Sequence, residues 1–410
     1  MADIPVSVYT PTDSGEHLLD CYQSLQAQTY DLWEWVLVPN NGAVIPESIT
    51  SDSRVRVIPH ESHSIGELKR FAVAQSVGDL LVELDHDDLL TDDALATLVN
   101  EREETGAGFL YSDFVTFKED KSVVYSEAYG WESYPFEYGG QEYTAMRSFD
   151  PTPEAMCHLQ FSPNHVRAWS REAYNKAGGY DGNYTVADDY DLITRTYITG
   201  EKFHHIPQCL YLYRNWSGSR SIHDKNQEIQ ERQHSLSQAR TYDMLNAWVR
   251  QTSSLHINLL NPRSTNVNPA ADRNVLFDDI YRLPDSTAGR IDARNVLQFL
   301  PQKYVVDWMN HIYKKLTPGG WLVIEVPSTD GRAAFANPTY GSYWNEHTFR
   351  MFTDKDRAVT AARVEVTCRF HPAKVWTDYR TEEDKLERAP YTGAHLVASK
   401  GQRIAGTLRI

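Results

Sequence analysis

Three aspartates crowd the end of a short apolar segment, "LVELDHDDLL", at Asp85, Asp87 and Asp88. Carboxylates this close repel one another unless a cation joins them. Divalent cations that carry phosphates prefer hard oxygen ligands, which carboxylates supply. The segment therefore predicts a metal site for a phosphorylated ligand. The alternative is that Asp88 or Thr91 caps the helix that begins near "TDDAL".

A second acidic group, Asp188, Asp189 and Asp191, stands in "GGYDGNYTVADDYDLITRTYITG", where apolar residues then recur at helical spacing. Acids in the first turn of a helix are stabilised by its dipole, and that alone would explain Asp188. A carboxylate there can also act as a general base if it reaches a substrate hydroxyl in a dry cleft. At this point both interpretations stay open.

Four apolar segments predict the strands that position these acids: "PVSVYT" (5–10), "WEWVLV" (33–38), "RVRVIP" (54–59) and "DLLVEL" (79–84). Helical spacing lies between the first two and between the last two. This alternation predicts a parallel sheet with helices on both faces. Ligands of such sheets bind beyond the carboxyl ends of the strands. The first acidic group follows the fourth strand directly and therefore lies where a ligand would bind.

The stretch 118–160 is rich in Tyr, Gly, Pro and Glu and shows no clear period. A long irregular segment inside a compact domain is usually functional or mobile, and aromatic side chains suit the faces of sugars. We expect either a loop that contacts an acceptor or a donor, or a plain surface excursion.

Taken in order, these motifs resemble family 2 of the inverting nucleotide-sugar glycosyltransferases, which have the GT-A fold. Members begin with a strand like "VSVYTPT", carry a metal-binding DxD where "LDHDDLL" stands, and continue with "GGYD", an acidic pair before "YDL", and "LYLYR". The resemblance covers about residues 4–224. It implies transfer of a sugar from a nucleotide diphosphate to an acceptor hydroxyl, with UDP as the favoured nucleotide.

The resemblance also implies roles for individual residues. Asp85 and Asp87 would hold Mn²⁺ or Mg²⁺ on the donor diphosphate, with His223 as a third ligand. Asp189 would be the general base, and Asp188 stands where the family usually has Glu. Besides Asp85, the expected contacts to the donor are Thr10, Pro11, Thr12, Asn40, Asn41 and Lys69. The family usually ends its second strand with an acidic pair that reads the nucleobase, whereas "VPNNGA" offers only the amides of two asparagines.

The second half, with "IYKKLTPGGWLVIEVP", resembles the later half of class I S-adenosylmethionine methyltransferases over about residues 255–356. The glycine-rich turn of that family is missing, since Leu260 and Asn261 stand where backbone must approach the cofactor. The acid that holds the cofactor ribose is also missing, with Asn266 or Asn268 nearby, although Asp278 or Asp279 could match the acid near the adenine. We interpret this half as a degenerate module that does not bind S-adenosylmethionine and serves as a scaffold, an oligomer contact or an acceptor platform.

The length of 410 residues predicts two or three domains. The predicted fold class is α/β, a GT-A (Rossmann-like) domain at 1–224, a helical linker at 225–252 and a smaller Rossmann-like domain at 253–410. With 40 basic against 56 acidic residues the net charge is -16, which argues against nucleic acid as a partner. No apolar run approaches the roughly 20 residues of a membrane span. Four scattered cysteines and no signal peptide favour the cytoplasm.

The sequence thus predicts an inverting, metal-dependent glycosyltransferase acting on a hydroxyl of an unidentified glycan or protein. Two alternatives remain open. One is a bifunctional enzyme whose second half is a working methyltransferase. The other is a pseudoenzyme that binds a nucleotide sugar or a glycan without turnover. Retention of Asp85, Asp87 and Asp189 favours an enzyme over the pseudoenzyme.

Overall fold

The computed structural model describes residues 4–118, 121–159, 162–215, 225–261, 267–353 and 366–403. They form two compact units, one within residues 4–247 and one within 248–403. Among the described helices, none combines the length and the hydrophobicity that crossing a membrane requires.

The first unit is built on one mixed sheet. Its strands are β1 Val6–Thr12, β2 Trp33–Pro39, β3 Val55–Val57, β4 Leu80–Glu83, β5 Leu89–Leu90, β6 Phe109–Lys118, β7 Lys121–Ser122, β8 Glu132–Tyr138, β9 Gln141–Arg147, β10 Arg167–Ser170 and β11 Phe203–Arg214. The order along the sheet is β3-β2-β1-β4-β10-β6-β11-β5. The first four strands in this order are parallel, and β10 runs antiparallel between β4 and β6. The predicted parallel α/β core is therefore present.

Eight helices of this part of the chain are described, the last of which crosses the boundary between the units. They are α1 Leu18–Gln26, α2 Glu47–Thr50, α3 Ile65–Gln75, α4 Ala94–Thr105, α5 Pro153–His158, α6 Arg171–Lys176, α7 Asp188–Ile198 and α8 Asn226–Gln251. Ser64 caps α3 by accepting a hydrogen bond from the Glu67 amide. The Gly66 amide donates to the Tyr184 carbonyl, and a Cβ at Gly66 would lie 2.3 Å from the Asp181 carbonyl oxygen. Glycine therefore lets α3 approach the turn that precedes α7.

The segment 118–160 is more regular than the sequence analysis predicts. Strands β8 and β9 pair as an antiparallel hairpin across Gly139 and Gly140, both of which have positive φ. Tyr134, Phe136 and Tyr138 alternate with exposed residues and pack on a cluster of β6 and β11 side chains. The expectation of an irregular loop is wrong here. These aromatic residues follow the period of two of a strand, and they lie half-buried against side chains of β6 and β11.

The second unit is also an α/β sheet. Its strands are β12 Leu255–Leu260, β13 Arg273–Leu276, β14 Ala288–Arg294, β15 Leu316–Pro327, β16 His371–Asp378 and β17 Tyr391–Ala398. The order is β13-β12-β14-β15-β17-β16, in which β12 to β15 are parallel and β17 is antiparallel to both of its neighbours. The helices are α9 Val305–Lys315, α10 Ala333–Ala336, α11 Glu346–Arg350 and α12 Glu382–Leu386. Strands β16 and β17 close the sheet as an antiparallel pair, and β16 begins at His371.

Candidate functional site

The turn after β4 contains three aspartates, of which one is buried and two are partly exposed to solvent. Asp88 is buried, its Oδ2 accepts a hydrogen bond from the Tyr211 hydroxyl at 2.7 Å, and its Oδ1 accepts one from the Arg214 amide at 2.7 Å. Burial, with the neighbouring acids, raises the pKa of Asp88 well above its usual range. Asp85 and Asp87 are half-buried. The turn is therefore held by Asp88, while the two residues of the DxD pattern are left at its open side.

The helix-cap alternative for this segment is wrong. Helix α4 begins at Ala94, and Asp93 rather than Asp88 occupies the position before it. The Thr91 hydroxyl donates to the Asp93 carboxylate at 2.8 Å, whereas a capping side chain would accept a hydrogen bond from a backbone amide of the first turn. The acids at 85–88 are thus not explained by capping.

Asp85 carries a strongly perturbed carboxyl group. Burial raises the pKa of Asp85 to about 7, with contributions from the charges of Glu83 and Asp87 and a partial offset from Lys69. A carboxylate that is costly to ionise by itself gains most from a nearby cation. This is the electrostatic condition expected of a site that binds a divalent ion.

Arg214 braces the same turn, and the sequence analysis missed this role. Its Nε donates to the Asp87 carbonyl oxygen at 2.8 Å, and its Nη2 donates to Asp20 at 3.0 Å. Its own amide holds Asp88. Its position as the last residue of "LYLYR", at the end of β11, is the sequence feature that could have indicated this role.

At the end of β1, Thr10 is buried and its hydroxyl is fully engaged. It donates to the Leu84 carbonyl at 2.7 Å and accepts from the Trp35 indole at 2.8 Å. Pro11 and Thr12 are buried next to it, and the Thr12 hydroxyl donates to the Ser14 carbonyl. These three residues lie at the predicted edge, but the threonine hydroxyls hold the strand ends together, and their donor contacts stay predictions.

The two asparagines after β2 also hold a loop. The Asn40 amide donates to the Ser62 carbonyl at 3.0 Å and accepts from the Ser62 amide at 3.1 Å. Asn41 has a φ of 51° and its backbone amide donates to Glu61. Asn40 is thus engaged at both ends of its side-chain amide, and the reading of a nucleobase by either residue stays a prediction.

Lys69 occupies a different place from the one expected. It is 6% exposed, and its Nζ lies 2.5 Å from Glu83 Oε1 and 3.0 Å from Asp188 Oδ2. A phosphate would have to compete with two carboxylates that already surround this ammonium. Lys69 therefore acts as an interior counter-ion between β4 and α7, and its predicted contact with donor phosphate does not fit this position.

The acidic pair at the start of α7 has two distinct environments. Asp188 is buried against Lys69, and burial raises its pKa to about 6. The Asp189 side chain is 23% exposed, with Oδ2 2.5 Å from Arg167 Nη1 and Oδ1 2.7 Å from the Tyr190 amide. Burial favours protonation of Asp189, but the charges of Arg167 and Lys69 outweigh it and hold the pKa of Asp189 below its usual range. Asp189 is the accessible, ionised member.

The third acid of this segment, Asp191, is not part of this cluster. Asp191 is buried and pairs with Arg195 and with Arg240 of α8, which makes it an anchor for helices. His223 lies outside the described residues. The structure therefore brings Asp188 and Asp189 close to the end of β4 through the cations of Lys69 and Arg167.

In the second unit, the strand order reverses between β12 and β14, since β13 lies on one side of β12 and β14 on the other. Ligands of open α/β sheets bind at such a point. Here the Asn261 side chain donates to the Asn295 carbonyl at 2.9 Å and joins the ends of the two strands. Asp278 and Asp279 follow the carboxyl end of β13, where Asp279 pairs with Arg282.

Comparison with known proteins agrees with this geometry. Residues 7–173 match the model of the family described as Glycosyl transferase family 2. This part of the chain is therefore similar to a glycosyltransferase family 2 domain. Its mixed sheet is the Rossmann-like sheet of the GT-A fold.

Two curated relatives match this half of the chain. "Uncharacterized protein y4gI" of Sinorhizobium fredii is 26% identical over 229 residues, covering 53% of this chain and 23% of that protein. "Glycosyltransferase GlyG" of Streptococcus pneumoniae is 24% identical over 221 residues, covering 52% of this chain and 72% of that protein. The chain thus spans about a quarter of the first relative and most of the second. The family domain and the glycosyltransferase relative support a glycosyltransferase enzyme.

A solved structure of S. aureus TarS, residues 1–349 in complex with UDP-GlcNAc, is similar with a TM-score of 0.44 and 11% identity. The similarity covers 76% of this chain and 80% of that one.

Proposed function

We propose that this protein moves a sugar from a nucleotide diphosphate to an acceptor hydroxyl with inversion, and that Asp189 is the general base. The observation that carries the proposal is the environment of Asp189, an accessible and ionised carboxylate at the ligand edge of the sheet. An inverting transfer needs one group to take the proton of the attacking hydroxyl. It needs no protein nucleophile.

The turn after β4 fits a divalent cation such as Mn²⁺ or Mg²⁺. Asp85 and Asp87 offer hard oxygen ligands on its open side, and the pKa of Asp85, which is raised mainly by burial, supports a position where a cation would stabilise the ionised carboxylate. When bound, such an ion would neutralise charge on the leaving diphosphate. Arg214 and Asp88 hold the turn in place for it.

The donor in this proposal is a nucleotide-diphosphate sugar, with UDP favoured by the resemblance to family 2. Of the two asparagines after β2, the Asn41 residue is exposed, whereas the Asn40 side-chain amide is already engaged with Ser62. The acceptor is a hydroxyl of a glycan or a protein. Asp189 takes its proton as the hydroxyl oxygen attacks the anomeric carbon from the face opposite the diphosphate. Asp188 and Lys69 support the first turn of α7 from within the fold.

For the second unit we propose a methyltransferase-like module that does not hold S-adenosylmethionine. The Asn261–Asn295 hydrogen bond supports this, because it occupies the point where the cofactor's backbone contacts would form. A scaffold, an oligomer contact or an acceptor platform are the roles that would remain for it. The acids after β13 favour the bifunctional alternative, and ligand binding distinguishes the two.

Replacement of Asp189 with Asn tests the base. We expect turnover to fall about 10²–10⁴-fold, because the amide cannot accept the proton. Binding of the UDP–Mn²⁺ probe should stay close to that of the unaltered protein. Turnover is measured as UDP release from a panel of UDP-sugars, and binding by calorimetry.

Asp181→Asn is the matched control, since it makes the same change in the turn before α7 and outside the charged cluster. It should retain turnover. UDP release at the original rate by the Asp189→Asn protein would contradict the assignment of the base. Metal-dependent UDP binding by the unaltered protein without any release from these sugars would favour the pseudoenzyme.

A further inference from the structure

The last residue of the buried strand β4, next to the site, is the charged residue Glu83. Glu83 is 1% exposed and follows Leu80, Leu81 and Val82, which are fully buried. An isolated carboxylate in such a place is strongly unfavourable unless cations and hydrogen bonds compensate it. Its partners therefore explain how the strand tolerates it.

Two cations share the Glu83 carboxylate. Lys69 Nζ of α3 lies 2.5 Å from Oε1, and Arg167 Nη1 of β10 lies 3.6 Å from Oε2. Both cations are themselves buried, with side chains 8% and 4% exposed. Glu83 thus stands between two fixed positive charges.

Each of these cations also holds one acid of the pair on α7. Lys69 contacts Asp188 at 3.0 Å, and Arg167 contacts Asp189 at 2.5 Å. The result is a charged network of three carboxylates and two cations, formed by Glu83, Lys69, Arg167, Asp188 and Asp189. It links the strand that leads to the metal-binding turn with the helix that carries the base.

The Arg167 guanidinium donates hydrogen bonds to Pro163 and Asp189 and forms a longer ion pair with Glu83. Its Nε donates to the Pro163 carbonyl at 2.8 Å, while Nη1 faces both Glu83 and Asp189. The other oxygen of Asp189 accepts the Tyr190 amide. Both oxygens of the carboxylate are therefore oriented by the protein before a substrate binds.

We propose that Arg167 is a positioning residue that orients the Asp189 carboxylate for proton abstraction, and that Glu83 fixes Arg167 in turn. The inference rests on the proposed function and adds two residues to it, neither of which belongs to the DxD or the acidic pair. A catalytic group held in its productive geometry saves the cost of orienting it during the reaction.

The network also sets how the base responds to pH. The charged and titratable groups that face Asp189 are Arg167 of β10, Lys69 of α3, Glu83 of β4, its neighbour Asp188, and His165. Burial lowers the pKa of His165 to about 3, so this ring is neutral near pH 7. Arg167 is thus the main cation on Asp189, and its loss should raise the pKa of that carboxyl.

The test compares Arg167→Gln and Arg167→Lys with the unaltered protein. For Arg167→Gln we expect kcat for UDP release to fall about 10²-fold, as for other misplacements of a catalytic group. The KM for the UDP-sugar should change little, and the acidic limb of the kcat profile should move to higher pH. Arg167→Lys keeps the charge and should keep the pH profile while recovering only part of kcat. Glu83→Gln should lower kcat in the same direction as Arg167→Gln.

Arg56→Gln is the control, because it breaks an arginine–carboxylate pair with Glu34 at the β3 edge of the same sheet. Folding of each variant is checked by circular dichroism and gel filtration. If Arg167→Gln does not fold, the changes in kcat and KM are measured with Arg167→Lys and Glu83→Gln instead.

Two failures are distinguishable. If the unaltered protein releases no nucleotide from UDP-, GDP- or dTDP-sugars, the proposed function is wrong, and this inference with it. If it releases UDP and Asp189→Asn does not, but folded Arg167→Gln keeps the original kcat and pH profile, only the positioning role is wrong. The positioning role of Arg167 would also be wrong if the affinity for the UDP-sugar fell by the same factor as kcat.

Discussion

At the scale of single residues, the geometry of the turn that we propose as the metal site depends on Arg214. Its guanidinium and its backbone amide contact three acidic residues, Asp20, Asp87 and Asp88. Hydrogen bonds that involve a charged group contribute about 1.5–3 kcal/mol each. The contacts to the carbonyl of Asp87 and to Asp20 are made by the side chain and are the ones that a substitution removes.

Replacement of Arg214 with Gln should therefore weaken binding of UDP with Mn²⁺ by about tenfold or more, in line with the loss of one such bond. Calorimetry with UDP and Mn²⁺ measures this. Arg147→Gln, which removes an exposed partner of Glu132 on the hairpin, serves as the control and should bind normally. Equal affinities in the two variants would show that Arg214 does not organise the turn.

At the scale of elements, α7 and α8 are joined through one buried carboxylate. Asp191 Oδ2 accepts from Arg195 on the same helix, and Oδ1 lies 2.6 Å from Arg240 Nη2 on α8. Arg240 also donates to the Thr194 hydroxyl at 2.6 Å. Because α7 carries the acidic pair, this anchor fixes the helix on which the proposed base stands.

Asp191→Asn should lower the free energy of unfolding by about 3–5 kcal/mol, the usual cost of removing one partner from a buried ion pair. Urea unfolding followed by circular dichroism measures the change. The control is Lys176→Gln, which removes the exposed Lys176–Glu201 pair and should cost less than about 1 kcal/mol. Similar losses in the two variants would contradict the anchoring role.

At the scale of the whole molecule, each unit has its own ligand prediction. Thermal unfolding of the full chain with UDP, GDP, dTDP and CMP, each with and without Mn²⁺, should show metal-dependent stabilisation by one nucleotide, since a ligand that binds only the folded state stabilises it. Asp85→Asn should abolish that response. S-adenosylmethionine and S-adenosylhomocysteine should give no stabilisation.

Stabilisation by S-adenosylhomocysteine would overturn the proposal for the second unit and support a bifunctional enzyme. In that case the Asn261–Asn295 hydrogen bond would have to open on binding. Stabilisation by UDP without Mn²⁺, and unchanged in Asp85→Asn, would instead contradict the metal site.

The sequence by itself determined the strands that carry the site and the order of its acidic groups. Apolar runs of strand length and helical spacing are local patterns, and they predicted β1 to β4 and the parallel core correctly. They also placed Asp85 and Asp189 at the ends of elements, where the carboxyl edge of a parallel sheet collects ligand contacts. The ordered motifs are also local patterns, and they predicted the similarity to glycosyltransferase family 2.

Only the tertiary structure decided which charges meet. Glu83 and Arg167 are far apart in the chain and become neighbours because β4 pairs with β10. The same long-range packing turned Lys69 inward and engaged the amide of Asn40. A charged side chain has the same local pattern whether it contacts a ligand or a buried partner, so its role follows from the strands and helices packed around it.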